Sequence, residues 1–202
     1  MPDSLLASHP RIAPLLTDRP QRARLLEAMV RAVAEKGYDA ATVADAVRLA
    51  KVSRGTFYEL FSSKEACLLA AYQAGYEVLE ERIDASIRDA GDWRAELRLG
   101  IRAYLRALSE DPLFARVYLI EARVVPAERE AVMRRFATRY AKTFARAGAA
   151  PPPTEALYLL AHGVHALACE RVRNHDRVED LEDILVGCAV RLAAESQEEP
   201  WT

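Results

Sequence analysis

Apolar residues in this chain recur three and four positions apart almost from end to end, and two-residue alternation is nearly absent. That spacing excludes a sheet-built fold and predicts an all-α one. Leu25, Leu26, Met29, Val30 and Val33 form the first stripe; Thr17 or Asp18 can start its helix, Pro20 suits the first turn and Gly37 the end. Thr42 and Asp45 make a capping pattern for a helix over 42–50, a very short helix follows over 54–60, and Ser62 with Glu65 opens a long one over about 63–88. Beyond Gly91 the spacing predicts helices over about 93–109, 112–124, 127–147, 154–174 and 179–195, separated by Asp111-Pro112, Pro126 and GAAPPP at 148–153. The expected architecture is about nine helices: a compact head of three, a connecting fourth and a larger bundle.

With 202 residues and 51% apolar composition the chain can bury a sizeable core. Residues 1–65 hold ten Lys/Arg against eight Asp/Glu, and the rest hold 18 against 22, so the front is mildly basic and the remainder mildly acidic. A nucleic-acid partner is not opposed by that balance, because a local patch matters more than the total. Cys67, Cys169 and Cys188 lie far apart and cannot all pair, which points to buried thiols in a reducing cytoplasm. The opening MPDSLLASHPRIAPLL is a poor signal peptide, and ALYLLAHGVHALAC at 156–169 is too short to span a bilayer, so no membrane partner is expected.

The segment VSRGTFYELFSSKE at 52–65 carries the chemistry. Two short helices joined by a tight turn, 42–50 and 54–60, match a helix-turn-helix, whose second helix enters the DNA major groove. Val52, Phe57 and Phe61 can pack on the head. Arg54 can pair bidentately with guanine, and Thr56 can offer a hydroxyl or methyl to a base edge. Gly55 lets the backbone approach closely, at a cost to the helix of roughly 1 kcal/mol. Thr42, Ser53, Tyr58 and Lys64 sit at element ends where phosphates are met. The plainer alternative is a small helical hairpin in an all-helical core; the polar set around Gly55 favours DNA.

TVADAVRLAKVSRGTFYELFSSKEA resembles the N-terminal signature of the tetracycline-repressor-like (TetR/AcrR) regulators, approximately TVxxIAxxAGVSxGTxYxHFxxKExL. Thr42, Val43, Ala50, Val52, Ser53, Gly55, Thr56, Tyr58, Phe61, Lys64 and Glu65 agree. Ala46-Val47 replaces the usual Ile-Ala and moves bulk between core slots. Lys51 replaces the usual turn glycine; a left-handed backbone there strains it by on the order of 1 kcal/mol, and its ammonium can recover part of that at a phosphate. Leu60 replaces the usual His or Tyr, removing one phosphate contact.

The resemblance implies a flexible arm over 1–17, a DNA-binding domain over 18–63 and a ligand-binding and dimerisation domain over 64–202. It implies a homodimer on double-stranded operator DNA, released by a small-molecule effector, with no cofactor and no enzymatic activity. The dimer faces expected are Leu157, Leu160, Ala161, Val164, Leu167 and Ala168 on one helix, and Leu181, Ile184, Leu185, Cys188, Ala189 and Leu192 on the next; the alternative is packing within one subunit. Candidate pocket residues are Tyr104, Phe114, Tyr118, Phe136, Tyr140, Tyr158, His162 and His165, aromatic walls with polar tips, with Glu121 and Arg123 able to select a charged group. His162, His165 and Cys169 share a helical face and could ligate zinc, but no nearby Cys/His cluster supplies a fourth ligand, so pocket or core histidines are the expectation and no metal. Histidines in a pocket could make effector affinity pH-dependent. Two rivals stay open: a regulator answering to a protein partner, and a helical-bundle enzyme built on the His/Cys face. No nucleophile elbow, phosphate loop or paired-carboxylate motif supports the second.

Overall fold

The computed structural model describes residues 20–146 and 152–198; the expected arm and most of GAAPPP lie outside them. The described residues form helices α1 (Pro20–Lys36), α2 (Val43–Ala50), α3 (Arg54–Leu60), α4 (Lys64–Ile87), α5 (Trp93–Glu110), α6 (Pro112–Leu119), α7 (Pro126–Ala145), α8 (Thr154–Asn174) and α9 (Glu182–Glu198), with no strand among them. Gly37, at φ 78°, ends α1 as its sequence position predicts. Ser63 rather than Ser62 starts α4, its hydroxyl accepting from Ala66 N at 3.0 Å.

One expected helix is shorter than its apolar spacing, and another begins later. The segment after α6 tightens into a 3-10 turn, Glu121–Val124, which buries Glu121 and Ala122. A second 3-10 turn, Val178–Leu181, buries Val178 and Leu181 before α9 begins. There Arg98 reaches Glu182 and Asp183 at 3.0 and 2.7 Å, and Arg102 reaches Glu182 at 2.7 Å. These carboxylates occupy the first turn of α9, where the helix dipole favours them.

The chain divides into two compact units, and the division differs from the expected break after residue 63. One unit joins the chain up to Leu79 with Glu110–Glu128; the other joins Glu80–Ser109 with the chain from Arg129 on. In the first unit Leu25, Met29, Phe57 and Leu68 are essentially buried completely. Each such side chain contributes about 1.5–3 kcal/mol through removal from water. Cys67 lies in the same core, and burial pushes its thiol up to about 12, which keeps it protonated and inert. Cys169 is buried as expected, whereas Cys188 is exposed.

Residues 110–128 join the first unit because two aromatic side chains of α6 pack on α4. Tyr118 stacks on Tyr72 with centroids 4.8 Å apart and lies parallel to Tyr76 at 6.3 Å. Phe114 stacks on Tyr118 at 4.9 Å and occupies the space where a side chain at Gly75 would begin. The pocket role expected for Phe114 and Tyr118 is therefore replaced by a packing role. Gly75→Ala is expected to force Phe114 out of place and destabilise the protein by about 1–3 kcal/mol, measured as a lowered midpoint in thermal or chemical denaturation.

Candidate nucleic-acid interface and ligand cavity

Local chemistry sets the helix-turn-helix. Thr42 Oγ1 accepts from Asp45 N at 3.2 Å, while the Asp45 carboxylate accepts from Thr42 N at 3.1 Å, a reciprocal cap that starts α2. The same carboxylate accepts from Lys36 Nζ at 2.5 Å and from Thr42 Oγ1 at 2.7 Å. The Lys36 hydrogen bond, then Thr42, holds Asp45 well below the usual carboxylate range. Lys51 closes α2 in the left-handed region, φ 52° and ψ 49°, so the lysine bears the backbone strain that glycine would avoid. Ser53 then caps α3, its Oγ accepting from Thr56 N at 2.9 Å and sharing a hydrogen with Thr56 Oγ1 at 2.9 Å.

Phe57 fixes the inner side of α3, fully buried with Phe61 beside it. Ser53, Arg54, Gly55, Tyr58 and Glu59 are exposed. The Arg54 guanidinium lies 5.8 Å from the Tyr58 ring centroid, and that ring is braced edge-on by Phe57 at 5.4 Å. A Cβ added to Gly55 would meet only Ser53 Oγ, at an ordinary 3.5 Å. Nothing among the described residues requires glycine there.

Lys64 and Glu121 have other partners than expected. Lys64 Nζ donates to the carbonyls of Tyr38 and Ala41, at 2.7 and 2.9 Å, and sits 4.0 Å from the Tyr38 ring centroid. Its ammonium ties the α1–α2 turn to α4 instead of reaching outward for a phosphate. Glu121 accepts from Tyr38 N at 3.0 Å, and Arg123 reaches Asp39 at 3.2 Å, so both serve the same turn rather than a ligand pocket.

The cavity lies in the second unit and measures about 40 Å³. Of the expected residues, Tyr104, Phe136, Tyr140 and His165 line it, while Tyr158 and His162 pack on each other at 4.5 Å outside it. Sequence reasoning missed Ile83, Gly100, Met133 and Arg139 of the lining. Aromatic residues can be singled out in a sequence, whereas an aliphatic wall has no such signature. His165 Nε2 lies 3.4 Å from Cys169 Sγ, and its buried Nδ1 has no hydrogen-bond partner among the described residues. Among the described residues no three His, Cys, Asp or Glu side chains are placed to hold a metal ion.

Burial, then Arg129, His162 and Arg173, lowers the His165 pKa to about 4. His165 therefore stays neutral from mild acid to mild base. The unfolded chain binds a proton at the ordinary value near 6.5 that the folded chain refuses, so this contribution to stability is complete above that pH and is lost as pH falls toward 4. Chemical denaturation at pH 7 and pH 5 is expected to show lower stability at pH 5, with a smaller difference in His165→Leu.

The expected dimer residues divide into two sets. Leu157, Ala161, Val164, Ala168, Leu181, Leu185 and Ala189 are buried within the chain, and Leu160 and Leu192 are partly buried. Leu167, Ile184 and Cys188 are exposed, as are Leu159, at 73%, Gly163 and Ala166. Both helices are apolar on two sides, and spacing alone does not say which side faces inward. No helix among the described residues is long and apolar enough to cross a membrane.

Gly55→Ala is expected to leave the thermal midpoint unchanged or raised, since alanine is the better helix former by about 1 kcal/mol. Its DNA affinity, by fluorescence anisotropy on a bound genomic fragment, is expected to fall at least tenfold. Lys64→Ala should instead lower the thermal midpoint.

Residues 25–71 match the family described as bacterial regulatory proteins, tetR family. The chain is 29% identical over 105 residues to the fatty acid metabolism regulator protein of Bacillus subtilis (strain 168), covering 52% of this chain and 54% of that protein. It thus spans about half the length of that relative. Two solved structures share the fold. FadR from Bacillus subtilis in complex with stearoyl-CoA has a TM-score of 0.74 at 19% identity, over 83% of this chain and 96% of that one. The fatty acid degradation regulator FadR from Bacillus halodurans has 0.72 at 18%, over 85% and 95%. A capped helix-turn-helix with an exposed Arg54–Gly55 edge thus lies within the segment that matches the tetR family of bacterial regulatory proteins, on a helical chain that shares its fold with those two structures.

Proposed function

We propose that the protein is a homodimeric repressor whose α3 helices enter successive major grooves of operator DNA and which an acyl-chain ligand releases. Gly55 carries the DNA reading: it weakens a seven-residue helix, has no neighbour that excludes a side chain, and leaves backbone open beside Arg54. One head covers one half-site, so two are needed for operator affinity. The outward row Leu159, Gly163 and Leu167 of α8, with Ile184 and Cys188 of α9, is the proposed subunit contact; its small and apolar residues permit close helix approach.

The acyl reading is supported by the apolar lining of the cavity and by the similarity to the Bacillus subtilis and Bacillus halodurans proteins whose names connect them with fatty acids. A cavity of about 40 Å³ admits a few waters, so a long chain enters only by displacing side chains. Ile83 and Ile87 of α4 are among them, and Cys67 and Leu68 near the start of the same helix belong to the core of the first unit. Residues of one helix, α4, thus take part in both. Moving the operator-competent population from 99:1 to 1:99 needs a preference of about 10⁴-fold, roughly 5.5 kcal/mol, for the displaced form.

Selection of bound fragments from a random DNA pool should return a two-fold site with half-sites about one helical turn apart. Arg54→Ala should lose preference for that site over random DNA, and Leu159→Glu with Ile184→Glu should give monomers by light scattering. Long-chain acyl compounds should release the fragment from wild type and not from Gly100→Leu, which fills the cavity. Equal binding of selected and random DNA by wild type at modest ionic strength would falsify the DNA reading.

A further inference from the structure

We propose that Tyr58 is a positioning residue for Arg54: its ring holds the guanidinium where it can pair with a guanine edge, so the ring, and not the hydroxyl, sets the operator preference. This rests on the DNA reading above. The Arg54 guanidinium carbon lies over the Tyr58 ring, 5.8 Å from its centroid. The two residues stand four apart on α3 and therefore share a face. The ring is itself held. Phe57 meets it edge-on at 5.4 Å, with the planes 85° apart, and Phe57 is completely buried. A line of contacts thus runs from the core through an aromatic ring to the one basic side chain of α3.

Arg54 is the side chain of α3 that gains most from such support. Among the described residues it makes no hydrogen bond or ion pair. A long arginine side chain free in water loses rotamer freedom when it docks, and a contact that already holds it removes part of that cost. The kind of contact matters as well. A carboxylate would hold the guanidinium by the same N–H groups that guanine O6 and N7 require. An aromatic face attracts the charge and leaves that fork of donors open.

The neighbouring polar groups are less available. Ser53 and Thr56 share a hydrogen bond at 2.9 Å, and Lys64 turns to the carbonyls of Tyr38 and Ala41. An arginine and a tyrosine four apart on an exposed helix are ordinarily a modest local pair. Here the ring is clamped to a buried side chain, and the guanidinium sits on the exposed side of α3 with Ser53, Gly55 and Glu59. An exposed cation–ring contact is worth a factor of about two to five, so two heads on a two-fold site make it about tenfold.

The test compares affinity for the duplex selected from the random pool with affinity for a random duplex of equal length, by fluorescence anisotropy on the full-length protein. Tyr58→Leu is expected to lower that preference about tenfold with a thermal midpoint close to wild type. Tyr58→Gln serves as a second variant without a ring should Tyr58→Leu melt early. Tyr58→Phe, which keeps the ring, should hold the preference within about twofold, whatever happens to overall affinity. Arg54→Ala with Tyr58→Leu should discriminate no worse than Arg54→Ala alone. Guanines of the selected duplex are also replaced one at a time with 7-deazaguanine, which lacks the N7 acceptor. One position in each half-site should cost wild type about tenfold and Tyr58→Leu about twofold. If Tyr58→Leu and Tyr58→Phe weaken both duplexes alike, keep the preference and flatten the salt dependence, the hydroxyl serves a phosphate and the proposal is overturned. Additive losses of preference in the double variant overturn it as well, with the DNA reading left standing. A wild type that binds both duplexes equally sinks the DNA reading and this one together.

Discussion

The close seating of α6 on α4 at Gly75 is the constraint on which the first unit depends. Phe114 occupies the place a side chain would take, and Tyr118 stacks behind it on Tyr72. That seating brings the chain, after a long excursion through α5, back beside the helix that opened it. From there Glu121 and Arg123 extend to the turn between α1 and α2. Within the first unit that contact holds α4, the same helix whose start carries Cys67 and Leu68 into the core.

The turn itself is held by polar groups more than by apolar ones. Lys64 spends two donors on the carbonyls of Tyr38 and Ala41, Glu121 accepts from Tyr38 N, and Asp45 gathers Lys36 and Thr42. Hydrogen bonds with one charged partner are worth about 1.5–3 kcal/mol each when shielded from water, and losing one partner leaves the other unsatisfied. In a head of three short helices these ties decide how α2 and α3 are presented, and so where Arg54 and Gly55 point.

What was legible in the sequence was local. The Thr42–Asp45 cap involves residues three apart, Gly37 stops a helix through its own backbone freedom, and Lys51 could be suspected of a left-handed conformation because it occupies a turn position. Phe57 and Phe61 were readable as inward from helical spacing. Lys64 was misread because its partner carbonyls lie 26 and 23 residues upstream, and Glu121 because its partner lies 83 residues away. No periodicity encodes such pairs. The expected dimer list failed to separate inner from outer faces for a related reason: Leu157 and Leu159 are equally apolar, and only the placement of neighbouring helices buries one and exposes the other.

The ionic ties of the α1–α2 turn carry a consequence for how DNA binding by this protein is measured. Lys36 remains partly open to solvent, so added electrolyte weakens its hold on Asp45 at the same time as it displaces the protein from phosphates. A plot of log affinity against log ion concentration therefore mixes counterion release from the duplex with loosening of the reading head. The slope overstates the number of backbone contacts unless the integrity of the head is followed in parallel.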